Sequence, residues 1–312
     1  MPKAVMVREW GGPENLGLEE APYRALAPRE ARIRVRAAGV NFADTLMIAG
    51  KYQVKPPFPF TPGLEAAGEV IEIGSGVGHL GVGQRVLAVM RNGGTHAEEI
   101  IANADAVVPI PDAMDYVTAA AFPVAYGTSH FALTHRGHLK PSETLLVLGA
   151  AGGVGLTAVE IGKQMGARVI AAAGGAEKLE IARGRGADEL IDYTKESIRD
   201  RVRELTGGLG ADVVFDPVGG DAFDQAIRAV NWEARMLVIG FAAGRIQQAP
   251  ANLILVKNIS VIGVVFGAQA DRDPVWIADT LAERARVLSQ AAEDIPRGIG
   301  KVGQVSSTTF PA

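Results

Sequence analysis

Two spacings of apolar residues alternate along residues 144–265 and predict alternating strands and helices. Short apolar runs predict strands at Leu145–Leu148, Arg168–Ala172, Leu190–Ile191, Ala211–Phe215, Met236–Gly240 and Val261–Val265. After the first strand, apolar residues recur every three or four positions, which predicts a helix at Val154–Met165. Further helices are predicted at Glu177–Arg185, at the strongly charged segment Lys195–Leu205 and at Asp221–Val230. This alternation is typical of a parallel sheet covered by helices on both faces, so the sequence predicts an α/β doubly wound (Rossmann) fold.

Residues 1–120 have shorter apolar runs and more turn residues, which predict a compact β-rich domain. The runs predict strands at Lys3–Val7, Ala31–Ala37, Gly68–Ile73, Arg85–Val89 and Ala106–Ile110. Asn41–Ile48 is predicted as a short helix, and Pro56–Pro62 as a loop because proline cannot pair inside a sheet. Helical patterns at Met114–Phe122 and Tyr126–His135 lead into the α/β region.

The glycine-rich turn Gly149–Gly155 (G-A-A-G-G-V-G) is the strongest candidate for a binding site. It joins an apolar strand to a helix, so backbone N–H groups and the helix N-terminus would hold a pyrophosphate by their positive potential. Gly152 would allow close approach of that group, and Gly155 would allow close packing of the helix on the strand. Ala150 stands where the fingerprint has its first glycine, which is acceptable provided its φ is negative.

The residues after the second strand of this region indicate which dinucleotide would bind. NAD sites place an acidic residue about 20 positions past the turn, where it bonds the ribose 2′-hydroxyl. Here Ala171–Gly175 holds only small residues, and Glu177 lies at a helix start, where it complements the helix dipole. Lys178 offers a positive charge to a 2′-phosphate, although a lysine also suits a solvated helix face. The sequence therefore favours NADP over NAD.

Composition narrows the class of protein. The net charge of −4 argues against a general nucleic-acid surface, and 48% hydrophobic with 21% charged residues is ordinary for a globular enzyme. The absence of cysteine excludes disulfides, thiolate metal ligands and a cysteine nucleophile. The charged start M-P-K-A-V-M-V-R-E-W does not fit a signal peptide, and no segment has the length of an apolar membrane span. We therefore expect a cytoplasmic location.

Several segments between Lys3 and Phe310 carry a resemblance to a known family. They are A-A-G-V-N-F-A-D (37–44), P-F-T-P-G-L-E-A-A-G-E-V (59–70), V-G-Q-R-V (82–86), A-Y-G-T-S-H-F-A-L (125–133), G-A-A-G-G-V-G (149–155), G-A-D-V-V-F-D-P-V-G-G (210–220) and I-S-V-I-G-V (259–264). The chain resembles the medium-chain dehydrogenases/reductases, and within them the zinc-free quinone oxidoreductases of the zeta-crystallin type. The resemblance implies a GroES-like catalytic domain over residues 1–124, to which residues 268–312 return, and a Rossmann NADP-binding domain over residues 125–267.

Three positions distinguish this chain from the zinc-dependent members of that family. Those members have a cysteine where Asn41 stands, a histidine where Leu64 stands and a cysteine near Pro123, and none of the residues present here is a usual zinc ligand. We therefore expect no metal. Without a Lewis acid, hydride from NADPH needs an acceptor that is already activated by conjugation, such as a quinone or a conjugated carbonyl.

The resemblance accordingly implies an NADPH-dependent quinone oxidoreductase with a small-molecule acceptor. Two alternatives stay open at this point. One is a reductase of the C=C bond of an enone, an enoyl thioester or a haloacrylate. The other is a non-catalytic NADPH-binding protein that acts as a sensor or an RNA binder, although the acidic balance of the chain argues against RNA.

The resemblance places Asn41, Asp44 and Tyr52 at the catalytic site. Asn41 would lie beside the nicotinamide and donate a hydrogen bond to the substrate oxygen, and the alternative is that it caps the following helix. Asp44 occupies a matching family position, and its alternative role is to shape the loop. Tyr52 would orient the acceptor or relay a proton, and its alternative role is packing beside the prolines.

The resemblance also implies a set of cofactor-binding residues. These are Asn41, Thr128, Gly152, Gly153, Val154, Gly174, Lys178, Tyr193, Phe241 and Phe266. The threonine would contact the nicotinamide end of the cofactor, and the three residues of the turn would donate to the pyrophosphate. Lys178 and Tyr193 match the pair that holds the 2′-phosphate, although many relatives also carry a serine near Gly174. Phe241 and Phe266 follow the last two predicted strands, and core packing is the alternative for both.

The end of the chain carries two further expectations. The pattern of Ala270–Glu293 predicts a long helix that includes Trp276, Leu281 and Val287. Members of the family continue beyond the position of Ala312 with a further helix and strand. We therefore expect the closing elements of the GroES-like domain to be missing. The resemblance also implies a homodimer through edge-to-edge pairing of Ile259–Val265, because an apolar edge strand would otherwise be exposed.

Overall fold

The chain divides into two compact units. The structure is a computed structural model that describes residues 1–273, 276, 279–283 and 285. The first unit is Met1–Gly127 with the segment that begins at Gly267, and the second is Thr128–Phe266. The helix predicted at Ala270–Glu293 lies largely outside the described residues, and the tail after it lies entirely outside them. Among the described helices, none has the length and apolar character needed to cross a membrane.

The first unit contains two antiparallel sheets. Its strands are β1 (Lys3–Val7), β2 (Leu16–Glu20), β3 (Glu30–Ala38), β4 (Glu65–Ile73), β5 (Arg85–Val89), β6 (Glu99–Asn103) and β7 (Val107–Pro109). β1 pairs with β2, and the other five strands form a sheet in the order β6-β3-β4-β5-β7. The pairing of β3 with β4 changes register between Arg32 and Ile33 and again between Val35 and Ala37. Such bulges bend a strand and increase its twist, and this curls the sheet.

The curled sheet surrounds an apolar core because alternate residues of each strand face the same side. Its buried members include Ile33, Val70, Val86 and Ile100. A short helix, α1 (Phe42–Ile48), follows β3 and places Met47 and Ile48 in a second apolar cluster with Phe60. The predicted strands and this helix are confirmed apart from their ends, whereas the sequence does not predict β2 or β6.

The second unit is a parallel six-stranded sheet. Its strands are β8 (Thr144–Leu148), β9 (Arg168–Ala173), β10 (Glu189–Asp192), β11 (Ala211–Asp216), β12 (Val230–Val238) and β13 (Ser260–Gly263). They lie in the order β10-β9-β8-β11-β12-β13, which is the doubly wound order 3-2-1-4-5-6. The predicted fold class is therefore confirmed. In such sheets ligands bind at the carboxyl ends of the strands where the order reverses, which here is between β8 and β11.

Helices cover this parallel sheet. They are α3 (Gly153–Gln164), α4 (Ala176–Gly184), α5 (Ile198–Leu205), α6 (Gly220–Ala226) and α7 (Ala251–Lys257). Two further helices cross a unit boundary along the chain: α2 (Tyr116–His130) runs from the first unit into the second, and α8 (Phe266–Arg272) begins at the last residue of the second unit. Leu146, Ile170, Val214, Phe223 and Met236 are fully buried in one cluster. The strands are apolar along their whole length because both faces of the sheet are covered.

Helix α2 corrects one prediction. The helices predicted at Met114–Phe122 and Tyr126–His135 are in fact α2 and a π-helical turn, Phe131–Arg136. Pro123 favours a break because proline removes one N–H donor and its ring crowds the preceding turn. The helix nevertheless continues past Pro123.

Three other boundaries of the second unit also differ from prediction. α6 ends at Ala226, and β12 begins at Val230, inside the predicted helix Asp221–Val230. α5 begins at Ile198 because Ser197 is its N-cap, and the Ser197 hydroxyl accepts from the N–H of Asp200 at 3.2 Å. The sequence does not predict α7.

Candidate active site

Asn41 lies where the chain passes from β3 into α1. It is the N-cap of α1, with an extended backbone (φ −113°, ψ 155°), and it forms a capping box with Asp44 in which the Asn41 N–H donates to Asp44 Oδ2 at 2.7 Å. The Asn41 side chain is half-buried, and its Nδ2 donates to Glu65 Oε1 at 2.8 Å. Asn41 thus has the geometry of a helix cap, as the alternative interpretation expects. Its side-chain amide is also bonded to Glu65.

Glu65 is the functional candidate that the sequence analysis misses. It opens β4, is 2% exposed, and its Oε2 accepts from the backbone N–H of Val124 in α2 at 2.7 Å. Burial, with a smaller contribution from the charge of Asp44, raises the pKa of Glu65 to about 7, and the hydrogen bonds from Val124 and Asn41 oppose this rise. An acidic residue at the start of an apolar run was the available signal, but its partners are distant in sequence.

The segment that carries Asn41 is fixed at Gly39 as well. The Gly39 N–H donates to the Glu65 carbonyl at 3.1 Å, and the Gly39 carbonyl lies 3.1 Å from Nε2 of His96. A Cβ on Gly39 would stand 2.3 Å from Glu65 Oε1 and 2.8 Å from the carbonyl oxygen of Ala120. Glycine is therefore required here, because any side chain would displace the Glu65 carboxyl group.

Asp44 interacts electrostatically with Tyr52 and lies in the same unit. Asp44 is 4% exposed, and its Oδ1 has no hydrogen-bond partner among the described residues. Burial raises the pKa of Asp44, while the Asn41 N–H and the His96 ring oppose the rise. Burial also raises the pKa of Tyr52, with a further contribution from Asp44 and an opposing one from Arg91. The three predicted catalytic residues therefore lie in one unit, and their roles toward a substrate remain predictions.

The positions that hold zinc in zinc-dependent relatives have apolar or helical surroundings here. Leu64 is 6% exposed and packs in the cluster with Met47 and Phe60, and Pro123 lies inside α2. In the part of the chain that the structure describes, no group of three or more His, Cys, Asp or Glu residues is placed to hold a metal ion.

The turn between β8 and α3 is the candidate dinucleotide site of the second unit. Gly149 supplies its left-handed residue (φ 60°), and Ala150 is not among the residues of positive φ, so the condition set for Ala150 holds. Gly152 is the N-cap of α3 and makes no side-chain cap bond, which leaves the first N–H groups of the helix without a side-chain acceptor. An added Cβ on Gly155 would stand 2.3 Å from the Gly149 carbonyl oxygen, whereas one on Gly153 would meet nothing within 4 Å.

Two buried hydroxyl groups support this turn from beneath. Ser129 Oγ donates to the carbonyl of Val154 at 2.8 Å and lies 2.8 Å from Thr157 Oγ1. Thr157 Oγ1 is 3.1 Å from the same carbonyl. These bonds fix the first turn of α3, and the sequence analysis misses both residues because Ser and Thr inside helices carry no distinctive pattern. The predicted neighbour Thr128 is half-buried.

The residues predicted to hold a 2′-phosphate lie at the ends of β9 and β10. The Tyr193 ring is 40% exposed and lies over Gly174, where an added Cβ would stand 3.2 Å from Tyr193 Cε2. Lys178 is exposed in the first turn of α4. Asp192 Oδ1 accepts from the Thr194 hydroxyl at 2.6 Å and from the Gly175 N–H at 3.1 Å, and these bonds lower the pKa of Asp192 to about 2. The absence of a side chain at Gly174 therefore leaves room for the Tyr193 ring, whereas the Cβ of a serine would be in close contact with that ring.

Phe241 and Phe266 differ in exposure. Phe241 follows β12 and is 36% exposed, whereas Phe266 is 6% exposed and packs on Phe131 with 6.4 Å between ring centroids. The geometry of Phe266 is thus that of a core residue, and the surface of Phe241 is available to a ligand. Their cofactor roles remain predictions.

The chain is similar to known oxidoreductases along most of its length. It matches the family models for an alcohol dehydrogenase GroES-like domain over residues 27–112 and for a zinc-binding dehydrogenase over residues 153–279. It is 43% identical over 281 residues to a quinone oxidoreductase-like protein 2 homolog of Nematostella vectensis, which spans 89% of this chain and 76% of that protein. It is 42% identical over 261 residues to quinone oxidoreductase-like protein 2 of Rattus norvegicus, with 83% of this chain and 74% of that protein covered.

Solved structures agree with these relatives. The quinone oxidoreductase of Pseudomonas syringae pv. Tomato DC3000 has a TM-score of 0.86 at 30% identity and covers 93% of this chain and 90% of that one. Escherichia coli quinone oxidoreductase complexed with NADPH has a TM-score of 0.83 at 29% identity and covers 93% of this chain and 88% of that one. A parallel dinucleotide-type sheet joined to a curled antiparallel domain is the architecture of the medium-chain dehydrogenases/reductases. The chain belongs to this superfamily, in its quinone oxidoreductase family.

Replacing Gly155 by alanine should destabilise the second unit. The new Cβ would collide with two backbone groups of the turn, and overpacking of this kind costs about 1–3 kcal/mol. The matched change Gly153→Ala should be neutral or should stabilise by about 0.5–1 kcal/mol, because its Cβ enters open space and alanine favours a helix. Thermal unfolding of both variants without cofactor measures the difference, and equal midpoints would contradict the role given to Gly155.

Proposed function

We propose that this protein is an NADPH-dependent, zinc-independent quinone oxidoreductase. The observation that carries the proposal is the side-chain amide of Asn41, which is fixed by Glu65 at the position where zinc-dependent relatives have a metal ligand. An amide N–H can donate a hydrogen bond to a carbonyl oxygen that gains negative charge, and pre-oriented donors of this kind stabilise transition states. When bound, NADPH supplies the hydride. Asn41 then acts by polarising and orienting a conjugated acceptor.

The second unit supports NADPH as the cofactor. The uncapped start of α3 offers backbone N–H groups and a positive dipole end to a pyrophosphate, and the open space at Gly153 leaves room for close approach. The exposed Lys178 and the partly exposed Tyr193 supply a charge and a hydroxyl for a 2′-phosphate. The solved relative from Escherichia coli, described as complexed with NADPH, supports the same assignment.

Zinc independence is proposed from the chemistry of the side chains present. A leucine at position 64 and a proline at position 123 have no donor atom for zinc, and the Asn41 amide nitrogen already donates to a carboxyl group. The acceptor must then be activated by its own conjugation, which quinones and conjugated carbonyls satisfy.

Turnover of quinones by the full chain tests the proposal. We expect NADPH to be consumed with 1,4-benzoquinone or 9,10-phenanthrenequinone, and Asn41→Ala to lower kcat/KM by about 10²- to 10³-fold, the loss typical of one pre-oriented donor. Thr45→Ala, on the exposed face of α1, is the control that should leave the rate unchanged. Tight NADPH binding without turnover of quinones would contradict the proposal, and faster turnover of small enones would favour a C=C reductase instead.

Lys178→Ala should weaken NADPH binding and leave NADH binding unchanged. A charge-assisted hydrogen bond contributes about 1.5–3 kcal/mol, so the NADPH dissociation constant should rise about 10- to 100-fold. Lys140, which precedes β8 at the opposite end of the strands, provides the control variant Lys140→Ala. Titration of both cofactors by nicotinamide fluorescence measures the ratio, and an unchanged preference for NADPH would remove Lys178 from the site.

A homodimer through β13 belongs to the same proposal. β13 ends the parallel sheet, and Val261 and Val265 beside this edge are 37% and 51% exposed. An apolar strand at the edge of a sheet is suited to pairing with a second copy. We expect a dimer mass in sedimentation experiments and a shift to monomer for Val261→Lys, because a charge opposes pairing. Leu209→Lys, at an exposed turn, is the control. A monomeric wild-type protein would contradict this part of the proposal.

A further inference from the structure

Glu65 is a buried carboxyl group whose two oxygens have different partners. Oε2 accepts from the backbone N–H of Val124, which cannot change its role, because an amide N–H only donates. Oε1 faces the Asn41 side chain, whose amide can present either its nitrogen or its oxygen. A proton on Oε1 therefore has a possible acceptor in Oδ1 of Asn41, whereas Oε2 faces a donor, so Oε1 is the favoured site for the proton.

The protonation state of Glu65 therefore dictates the orientation of the Asn41 amide. An ionised Oε1 only accepts, so Nδ2 of Asn41 must face it, as the structure shows. A protonated Oε1 donates, so Oδ1 of Asn41 would turn toward it, away from its capping-box contact with the backbone N–H of Asp44, and Nδ2 would turn away from Glu65. The backbone of Asn41 does not move between the two states, because Asp44 holds its N–H and Gly39 is held by Glu65 and His96.

We propose that Glu65 is a positioning residue that sets the orientation of the Asn41 amide, with its ionised form presenting the amide as a donor to the acceptor substrate. The inference rests on the proposed function only in its statement that the Asn41 amide donates a hydrogen bond to the acceptor substrate. Glu65 itself need not touch substrate. It acts by accepting a hydrogen bond from one Nδ2 hydrogen of Asn41, which leaves the other Nδ2 hydrogen to donate to the acceptor substrate.

The titratable groups around Glu65 place its change of state near neutral pH. Burial raises the pKa of Glu65 to about 7. Asp44, from α1, adds to this rise, and burial raises the pKa of Asp44 as well. His96, from the segment between β5 and β6, interacts with Asp44 and opposes the rise there. Tyr52 interacts with Asp44 and with Arg91. Ionisation of Glu65, and with it the donor orientation, increases as the pH rises through this range.

Glu65→Gln tests the inference because glutamine has the shape of a protonated glutamate. Its Oε1 must accept from Val124, so its Nε2 would face Asn41 and hold Oδ1 at every pH. For the wild type we expect kcat with a quinone to rise through about pH 7. For the variant we expect a flat, low profile, about 10- to 100-fold below the wild type at high pH, with KM for NADPH unchanged.

Glu69→Gln is the matched control. Glu69 lies on the same strand, four residues away, and pairs with Arg36 rather than with the Asn41 cluster. We expect it to keep the wild-type pH profile. A wild-type profile in Glu65→Gln would overturn the inference.

A measurement without turnover separates this inference from the proposed function. The side-chain amide signals of Asn41, assigned by their loss in Asn41→Ala, can be followed by NMR in the wild-type protein as the pH changes. We expect an inflection near pH 7 that Glu65→Gln removes. A flat titration of the wild type would overturn the inference even if quinone reduction is observed or the variant fails to fold. A clear inflection without any turnover would support the inference and contradict the proposed function.

Discussion

The buried carboxyl group of Glu65 joins three parts of the first unit that are far apart in sequence. Burying a carboxylate costs several kcal/mol, and each hydrogen bond to a charged group returns about 1.5–3 kcal/mol. The bonds from Asn41 and Val124 therefore offset the cost only when both are made. This requirement explains why Gly39 has no side chain, since a Cβ there would displace the Glu65 carboxyl group. The position of the Asn41 amide follows from it.

The candidate dinucleotide site of the second unit consists of backbone atoms rather than side chains. The turn before α3 presents main-chain N–H groups, and Ser129 and Thr157 hold the first turn of the helix from its buried side. Backbone donors recognise any pyrophosphate, so they cannot distinguish NADP from NAD. Under the proposed function, that choice belongs to side chains after β9 and β10, where Tyr193 covers Gly174. The proposed function thus assigns affinity for the pyrophosphate and selectivity for NADP to different elements of the second unit.

Much of this structure was predictable, and the exceptions have physical reasons. The strands of the parallel sheet are apolar along their whole length, so their pattern survives without tertiary information. The strands β2 and β6 are short and partly exposed, so their pattern is weak. Pro123 locally favours a break in the helix, but α2 continues past it in the folded structure. The role of Glu65 depends on contacts 24 and 59 positions away, which no local pattern reports.

The turn Gly149–Gly155 has a consequence for how dinucleotide sites are recognised in sequences. The left-handed backbone falls on Gly149, and the closest approach falls on Gly155, while Ala150 has an ordinary conformation in a fully buried position. A search pattern that demands glycine at 150 therefore tests a residue on which the turn makes no conformational demand. Weighting such patterns by backbone angle and by the room for a Cβ would recover sites of this kind that a count of glycines discards.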